Sequence, residues 1–120
     1  MIIAVTARGR DLKGEVDPRF GRANQFLLVD SETMDFQVAE NHQSLNLPQG
    51  AGIQAAQNVA NHEPEVVLTG NCGPKAFKTL QAAGIKVVVG VSGKIEDAIQ
   101  AYLRGEFEHA KDANVEGHWV

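Results

Sequence analysis

The sequence predicts an α/β fold in which one five-stranded mixed sheet carries helices on both faces. Two observations support this prediction. In the second half of the chain, short apolar runs alternate with segments of helical periodicity, which is typical of parallel strands joined by crossover helices. Three extended runs precede the first helical pattern, so strands alone must build the first part of the sheet. A chain of 120 residues with 43% hydrophobic residues is sized for one domain.

The first three predicted strands include a hairpin. Residues 2–6 are a short β-branched run suited to a buried central strand, and residues 25–30 are the second such run. Alternation of apolar and polar residues over 34–40 predicts a half-buried edge strand. The apolar positions of this alternation are Met34, Phe36 and Val38. Because only residues 31–33 connect them, the second and third strands are expected to pair as the hairpin.

Three amphipathic helices alternate with two further strands. The helices are predicted from Gly50 to an end near residues 62–64, over 74–83, and after Ser92, which suits an N-cap. The strands are predicted over 65–69 and 85–90. The residues expected on the buried helix faces are Ile53, Ala56, Val59 and Ala60 in the first helix, Ala76, Phe77, Leu80 and Ala83 in the second, and Ile95, Ala98, Ile99, Tyr102 and Leu103 in the third.

The predicted order of elements is β-β-β-α-β-α-β-α. The most economical arrangement has the first strand in the centre, the hairpin on one side and the two later strands on the other, as in a ribonuclease-H-like sheet. The loops that leave the first strand and the 65–69 strand then open at one sheet edge. Residues 1–105 are expected to form the domain, and residues 106–120, which have no sustained period, a C-terminal tail.

Composition and charge argue against several classes of partner. Residues 1–22 contain five basic and three acidic side chains, for a local charge of +2, whereas the rest of the chain carries −6. A cationic loop on an acidic body favours a small anionic ligand and argues against nucleic acid. No apolar run approaches the roughly 20 residues of a membrane span. No basic segment precedes the first apolar run, so we expect no secretory signal and a cytoplasmic location.

The loop over residues 70–73, within the motif of residues 70–76, is a candidate anion site. It joins a predicted strand to a predicted helix, where unpaired backbone N–H groups and the helix dipole attract anions. It lacks the Walker A ending and the Gly-x-Gly-x-x-Gly pattern, so nucleotide binding is not expected. The residues expected to contact the ligand are Asn71, Cys72 and Gly73. The alternative is a tight turn whose glycines only permit the backbone path.

Cys72 is the single cysteine of the chain. At a helix N-terminus the pKa of its thiol is expected to fall, and a thiolate there could bind a soft metal such as copper(I), with His42 as a second ligand. One cysteine cannot form an internal disulfide or supply a standard iron-sulfur or structural zinc site. The alternative is that Cys72 is a small buried hydrophobe and that His42 faces solvent.

The segment 17–22 surrounds an aromatic residue with positive charge. The candidate cationic residues of this region are Arg8, Arg19 and Arg22. Guanidinium groups bind oxyanions or polysulfide-type anions, and Phe20 could exclude water from one side. The glycine-led helix start at Gly50 adds unpaired N–H groups to the same pocket. The alternative is that Phe20 fills the core while the arginines pair with Asp17 or Glu15.

Four motifs in this order resemble the dinitrogenase iron-molybdenum cofactor biosynthesis family, which includes NifX, NifY, the C-terminal part of NifB and the orange proteins. They are the opening Ile-Ala-Val-Thr, Asp17 to Ala23, Gly50 to Ala56 and Gly70 to Ala76. The resemblance covers roughly residues 1–105 and implies a ribonuclease-H-like fold. It implies a carrier, not an enzyme, whose cargo is an anionic molybdenum-copper sulfide cluster or an iron-molybdenum-sulfur cluster. The implied partner is a protein that donates or receives the cluster.

Two other classes of function compete with cluster carrying. A metal-dependent nuclease shares this fold, but its chemistry needs carboxylates on the central strand and at neighbouring strand ends. The first strand has Ala4, Val5 and Thr6, and the fourth ends in Leu68 and Thr69, so this activity is not expected. The remaining alternative is a regulatory or interaction module that binds a small oxyanion or a protein partner without metal.

Overall fold

A computed structural model describes residues 1–42 and 50–115 and confirms the predicted fold class. Five strands form one sheet in the order β3-β2-β1-β4-β5. They are β1 (Ile2–Ala7), β2 (Gln25–Asp30), β3 (Phe36–Glu40), β4 (Val66–Leu68) and β5 (Lys86–Val88). β2 is antiparallel to both β1 and β3, whereas β4 is parallel to both β1 and β5. The first strand is therefore central, with the hairpin on one side and the later strands on the other.

The helices cover both faces of the sheet. They are α1 (Ala51–Ala60), α2 (Pro74–Ala82) and α3 (Ile95–Leu103), and a 3-10 turn spans Phe20–Arg22. Ala4 of β1 packs in the cluster that contains the buried residues of α1 and α2, whereas its neighbours Ile3 and Val5 pack in the cluster that contains those of α3. Successive side chains of a strand point to opposite faces, so a central strand covered on both faces is apolar at most positions, and in β1 the one buried polar side chain is that of Thr6.

The N-terminus of α3 differs from the prediction. Ser92 does not cap the helix, which begins at Ile95 after Lys94 and has no side-chain cap. The N–H groups of Ile95 and Glu96 instead donate to the backbone carbonyls of Gly14 and Leu12, each at 2.9 Å. Backbone carbonyls of the cationic loop therefore satisfy the first turn of α3, and no hydroxyl is needed there.

Two residues expected on buried helix faces are exposed. Ala83 lies beyond the last residue of α2, where the chain turns through Gly84 with a φ of 78°. Leu103 is the last residue of α3 and is 41% exposed, although Ile99, one turn earlier, is fully buried. In both cases the apolar periodicity continues to the helix end, where the core no longer covers the side chain.

Residues 106–115 return across the outer edge of the sheet. The N–H of Ala110 donates to the carbonyl of Val87 in β5 at 2.7 Å, and the Tyr102 hydroxyl lies 2.8 Å from Nε2 of His109. Asn114 then reaches the loop that follows β4. No helix within the described ranges has the length and apolar character needed to cross a bilayer.

Two buried threonines join the carboxyl ends of β1 and β4. The hydroxyls of Thr6 and Thr69 lie 2.9 Å apart, and the Thr6 hydroxyl lies 2.8 Å from the carbonyl oxygen of Asp17. A carbonyl can only accept, so Thr6 donates its single proton to Asp17 and Thr69 must donate to Thr6. The N–H of Asp17 donates to the Thr6 carbonyl at 2.8 Å. The ends of the two parallel strands thus hold the start of the 17–22 segment in place.

We expect Thr6→Val to destabilise the protein more than Thr69→Val does. Thr6→Val leaves the Asp17 carbonyl and the Thr69 hydroxyl without partners, which costs about 1–3 kcal/mol in the free energy of unfolding. Thr69→Val removes only a donor and should cost about 0.5–1.5 kcal/mol, because the Thr6–Asp17 bond remains. Urea unfolding of both variants measures the difference. Equal losses would contradict the proton assignment.

Candidate functional site

The 17–22 segment and the 70–73 loop meet at one sheet edge, as the predicted topology requires. Arg19 and Asn71 form an isolated parallel β-bridge. The N–H of Phe20 donates to the Asn71 carbonyl at 3.1 Å, and the Asn71 side-chain amide donates to the Pro18 carbonyl at 2.9 Å. Asn71, which the sequence indicates as a ligand contact, therefore also fastens the two segments together.

This close approach requires a glycine at position 70. A Cβ atom on Gly70 would lie 2.7 Å from Cα of Pro18 and 2.8 Å from the Pro18 carbonyl oxygen. Both neighbours are backbone atoms that cannot move independently of the segment. The sequence indicates Gly70 as a turn residue, whereas the structure shows that it provides space for a second chain segment.

The arginines of the candidate site are exposed to solvent. They are Arg8, Arg19 and Arg22. Asp17 accepts a hydrogen bond from the backbone N–H of Arg19 at 2.9 Å rather than pairing with its guanidinium. Among residues 1–42 and 50–115, neither Arg8 nor Arg19 forms an ion pair with an acidic side chain. Their guanidinium groups are therefore not engaged in ion pairs within the described part of the chain.

Arg10, another arginine of the same loop, forms an ion pair with an acidic side chain. Its guanidinium pairs with the Glu40 carboxylate at 2.7 Å and, through that hydrogen bond, lowers the pKa of Glu40. Both side chains are about half exposed, at 62% and 45%. Arg10 therefore differs from Arg8 and Arg19 in that its charge is paired with a carboxylate.

Phe20 lies in the core beneath the loop and not on a surface that a ligand could reach. It is 1% exposed, its ring centroid lies 5.7 Å from that of Phe26, and it shares a buried cluster with Cys72. This position corrects the expectation that the ring forms a ligand-facing wall. The ring is buried because the 3-10 turn packs against α1, which places Phe20 between the loop and the sheet.

Cys72 is also fully buried, and the expected lowering of its pKa is wrong. Burial of the thiol raises its pKa from 9.0 to about 12. The cause is desolvation, because placing a charged thiolate in an apolar core costs free energy. The Cys72 thiol is therefore neutral at physiological pH.

His42 follows β3 and is exposed, and its carbonyl accepts a hydrogen bond from the side-chain amide of Asn58 at 2.8 Å. Within the described ranges, no group of three or more His, Cys, Asp or Glu side chains is arranged to hold a metal ion. Metal ligation by Cys72 and His42 stays a prediction.

Two helices begin at the sheet edge formed by the ends of β1 and β4. α1 ends before β4 starts and α2 begins after β4 ends, so both N-termini lie at that edge. They follow Gly50 and Gly73, no side chain caps either helix, and neither first turn contains an acidic residue. α1 also packs against α2. The N–H groups of these first turns have no intrahelical acceptors and carry the positive end of the helix dipoles.

The backbone N–H of Cys72, which the sequence suggests is free to bind an anion, has a hydrogen-bond partner within the chain. The N–H of Cys72 donates to Oδ1 of Asn114 at 2.8 Å, and the N–H of Asn114 donates to the Cys72 carbonyl at 3.2 Å. The Asn114 side-chain amide also lies 3.1 Å from Oδ1 of Asn71 and 3.4 Å from the carbonyl of Gly70. Asn114 falls in the segment without periodicity, so no sequence signal connects it with the 70–73 loop.

Comparisons with known proteins show what the chain as a whole is similar to. Residues 1–105 match the family model described as dinitrogenase iron-molybdenum cofactor. The apo form of the orange protein from Desulfovibrio gigas is 49% identical, with a TM-score of 0.90 over 95% of this chain and 96% of that chain. A NifB-like protein from Thermotoga is 31% identical, with a TM-score of 0.77 over 96% and 97% of the two chains. An uncharacterized protein from Methanocaldococcus jannaschii is 28% identical over 95 residues, which are 78% of this chain and 80% of that protein.

We expect Gly70→Ala to loosen the junction between the two loops. The added Cβ would overlap the Pro18 backbone, and overpacking of this kind costs about 1–3 kcal/mol in unfolding free energy. The amide of Phe20, which donates across the junction, should then exchange its hydrogen faster than in the wild type. Gly105→Ala is the control. An added Cβ there meets no atom within 4 Å, so this variant strains the backbone at a φ of 80° without overpacking any neighbour. A Phe20 amide that responds equally to both variants would contradict a specific role of Gly70.

The Cys72 thiol should resist alkylation in the folded protein. Only the thiolate reacts, and a shift of its pKa from 9.0 to about 12 reduces the thiolate fraction below pH 9 about a thousandfold. Timed iodoacetamide labelling of native and urea-unfolded protein at pH 8, followed by mass spectrometry, measures the ratio of the two alkylation rates. Similar rates in the two states would show that the thiol is accessible and ionised.

Proposed function

The chain belongs to the dinitrogenase iron-molybdenum cofactor family, and from this premise we propose that it binds and carries an anionic metal-sulfur cluster. The binding site that we propose is the sheet edge where residues 17–22 meet residues 70–73. Membership of a family of cofactor-binding and carrier proteins favours transport of a finished cluster over its synthesis. A carrier of this kind requires reversible binding and a partner protein that donates or receives the cargo.

The observation that carries this proposal is a local excess of positive charge on an acidic protein. Arg8 and Arg19 are exposed without ion pairs among the described residues, at the edge where the uncapped helices α1 and α2 begin. The chain as a whole has a net charge of −4. Guanidinium groups and helix N-termini both bind anions, so this edge is where an anionic cluster gains most in binding energy.

The cluster is held in this proposal by noncovalent contacts. A preassembled sulfide cluster already has its metals coordinated by sulfur, so it needs charge and N–H donors more than it needs protein ligands. The buried, neutral thiol of Cys72 supports this mode of binding. Direct ligation by Cys72 or His42 is the competing arrangement, and it predicts loss of cargo in Cys72→Ser or His42→Ala. Retention in both variants is what noncovalent binding predicts.

A molybdenum-copper sulfide cluster is the cargo that we favour. The 49% identity with the orange protein extends over nearly the whole of both chains, whereas the NifB-like structure is only 31% identical. The resemblance to orange proteins implies the molybdenum-copper sulfide cluster, and an iron-molybdenum-sulfur cluster is the second candidate. The two differ in metal content and in absorption spectrum, which makes them separable by experiment.

Anaerobic reconstitution tests the proposed cargo. Protein incubated with tetrathiomolybdate and copper(I), then freed of unbound metal, should retain stoichiometric molybdenum and copper and show charge-transfer bands in the visible region. Parallel incubation with iron-sulfur precursors and molybdate tests the second candidate. A colourless, metal-free protein after both treatments would contradict cluster carrying and support the module that binds a small oxyanion or a protein partner.

Arg19→Ala should weaken retention of the reconstituted cluster roughly ten- to hundredfold, because one charge-assisted contact to an anion is worth roughly 1.5–3 kcal/mol. The measurement is the dissociation constant from spectroscopic titration, repeated at higher salt, where retention should also fall. Arg104→Ala is the matched control, because Arg104 is an exposed arginine beyond α3 that pairs with Glu106. Equal effects of the two substitutions would indicate that only net charge matters and that the site lies elsewhere.

A further inference from the structure

Residues 106–115, which we call the strap, cross from the end of α3 to the candidate site. The strap first contacts β5 through the Ala110–Val87 hydrogen bond of 2.7 Å. It ends with Asn114 on the 70–73 loop. The strap therefore connects the outer edge of the sheet with the loop that lies at the proposed cargo site.

Asn114 contacts the loop through both its side chain and its backbone. Its carbonyl oxygen Oδ1 accepts from the Cys72 N–H at 2.8 Å, which is the shortest of its contacts with the loop. Its amide nitrogen lies 3.1 Å from the Asn71 side chain. The oxygen thus takes the acceptor position at a backbone donor just before α2, where an anionic ligand would otherwise be favoured.

The body of the protein holds the strap only lightly. Most of its residues are exposed, and those that are partly buried are Phe107, Ala110, Ala113 and Val115. The ion pair that involves the strap joins its first residue, Glu106, to Arg104 just beyond α3, far from the end that reaches the 70–73 loop. The strap is attached by a few hydrogen bonds and by the partly buried side chains of Phe107, Ala110 and Ala113 at the margin of the core. A segment held in this way opens at lower free-energy cost than the strands and helices of the core.

We propose that the strap competes with the anionic cargo for the 70–73 loop. In the empty protein Asn114 occupies the Cys72 N–H, and in the loaded protein the cargo takes that donor and the strap is released. This inference rests on the proposed function. Because binding free energies are reciprocal, a docked strap weakens cargo binding by the same factor by which cargo weakens strap docking. The strap thereby makes the empty and loaded forms structurally different.

Two substitutions in the full chain test the competition. Asn114→Ala removes the competing oxygen, and Ala110→Pro removes the N–H that donates to Val87 without altering any residue of the loop. Both should bind the thiomolybdate-copper cluster roughly five- to tenfold more tightly than the wild type, within the usual range of coupling between two binding events. Asn61→Ala, an exposed asparagine just after α1, is the control and should bind as the wild type does.

The sign of the effect separates competition from a direct contact. If Asn114 helps to hold the cargo, Asn114→Ala weakens binding, and this result overturns the proposal. The response to Ala110→Pro provides an independent check, since this residue lies outside the loop. A dissociation constant that does not change in either variant also overturns the proposal.

Hydrogen exchange on the unaltered protein provides a readout that does not depend on any variant. Loading with the thiomolybdate-copper cluster should accelerate exchange at the amides of Ala110 and Asn114 at least fivefold. Cluster binding with the strap still protected would overturn the competition and leave the proposed function intact. Absence of cluster binding to the wild type and to both variants would overturn the proposed function and the competition together.

Discussion

The hydrogen-bonded pair of Thr6 and Thr69 is the constraint on which the arrangement of the site depends. It joins the carboxyl ends of two parallel strands and, through the Thr6 hydroxyl, holds the carbonyl of Asp17. The 17–22 segment therefore starts at a fixed point over the sheet edge, and the close approach of Gly70 to Pro18 determines its distance from the opposite loop. This anchoring keeps Arg19, which has no ion pair within residues 1–42 and 50–115, at the sheet edge where α1 and α2 begin.

The site combines two requirements that oppose each other. Packing needs apolar side chains beneath the loops, and Phe20 and Cys72 meet that need inside the core. The proposed anion binding needs charge and N–H donors at the surface, where exposed guanidinium groups and helix starts lie. The backbone geometry at Cys72 meets both requirements in different places. Its side chain points into the core, while its N–H reaches Asn114 at the surface. The same residue thus serves the core through its side chain and the surface through its backbone.

The backbone N–H groups at the three helix N-termini of this edge have different hydrogen-bond acceptors, and the kind of acceptor decides which of these helix starts a ligand could reach. Carbonyls of Leu12 and Gly14 occupy the start of α3, so that helix is closed to ligands. The starts of α1 and α2 have no side-chain caps, and the donor just before α2 is met by Asn114. An intramolecular acceptor on a lightly held segment can be displaced, whereas carbonyls within a hydrogen-bonded loop cannot be displaced without unfolding that loop. Reversible loading of an anionic cargo is consistent with this distinction.

The sequence by itself determined the fold class, the strand order and the meeting of the 17–22 segment with the 70–73 loop. The fold class follows from hydrophobic periodicity, which residue spacing reveals directly. The strand order, and with it the meeting of the two segments, came from the crossover rule together with the analogy to a ribonuclease-H-like sheet. Only the tertiary structure decided that Phe20 lies in the core, that burial raises the pKa of Cys72, and that Asn114 occupies the Cys72 N–H. These outcomes depend on which side chains exclude water and on contacts between residues more than 40 positions apart, and no local pattern encodes either.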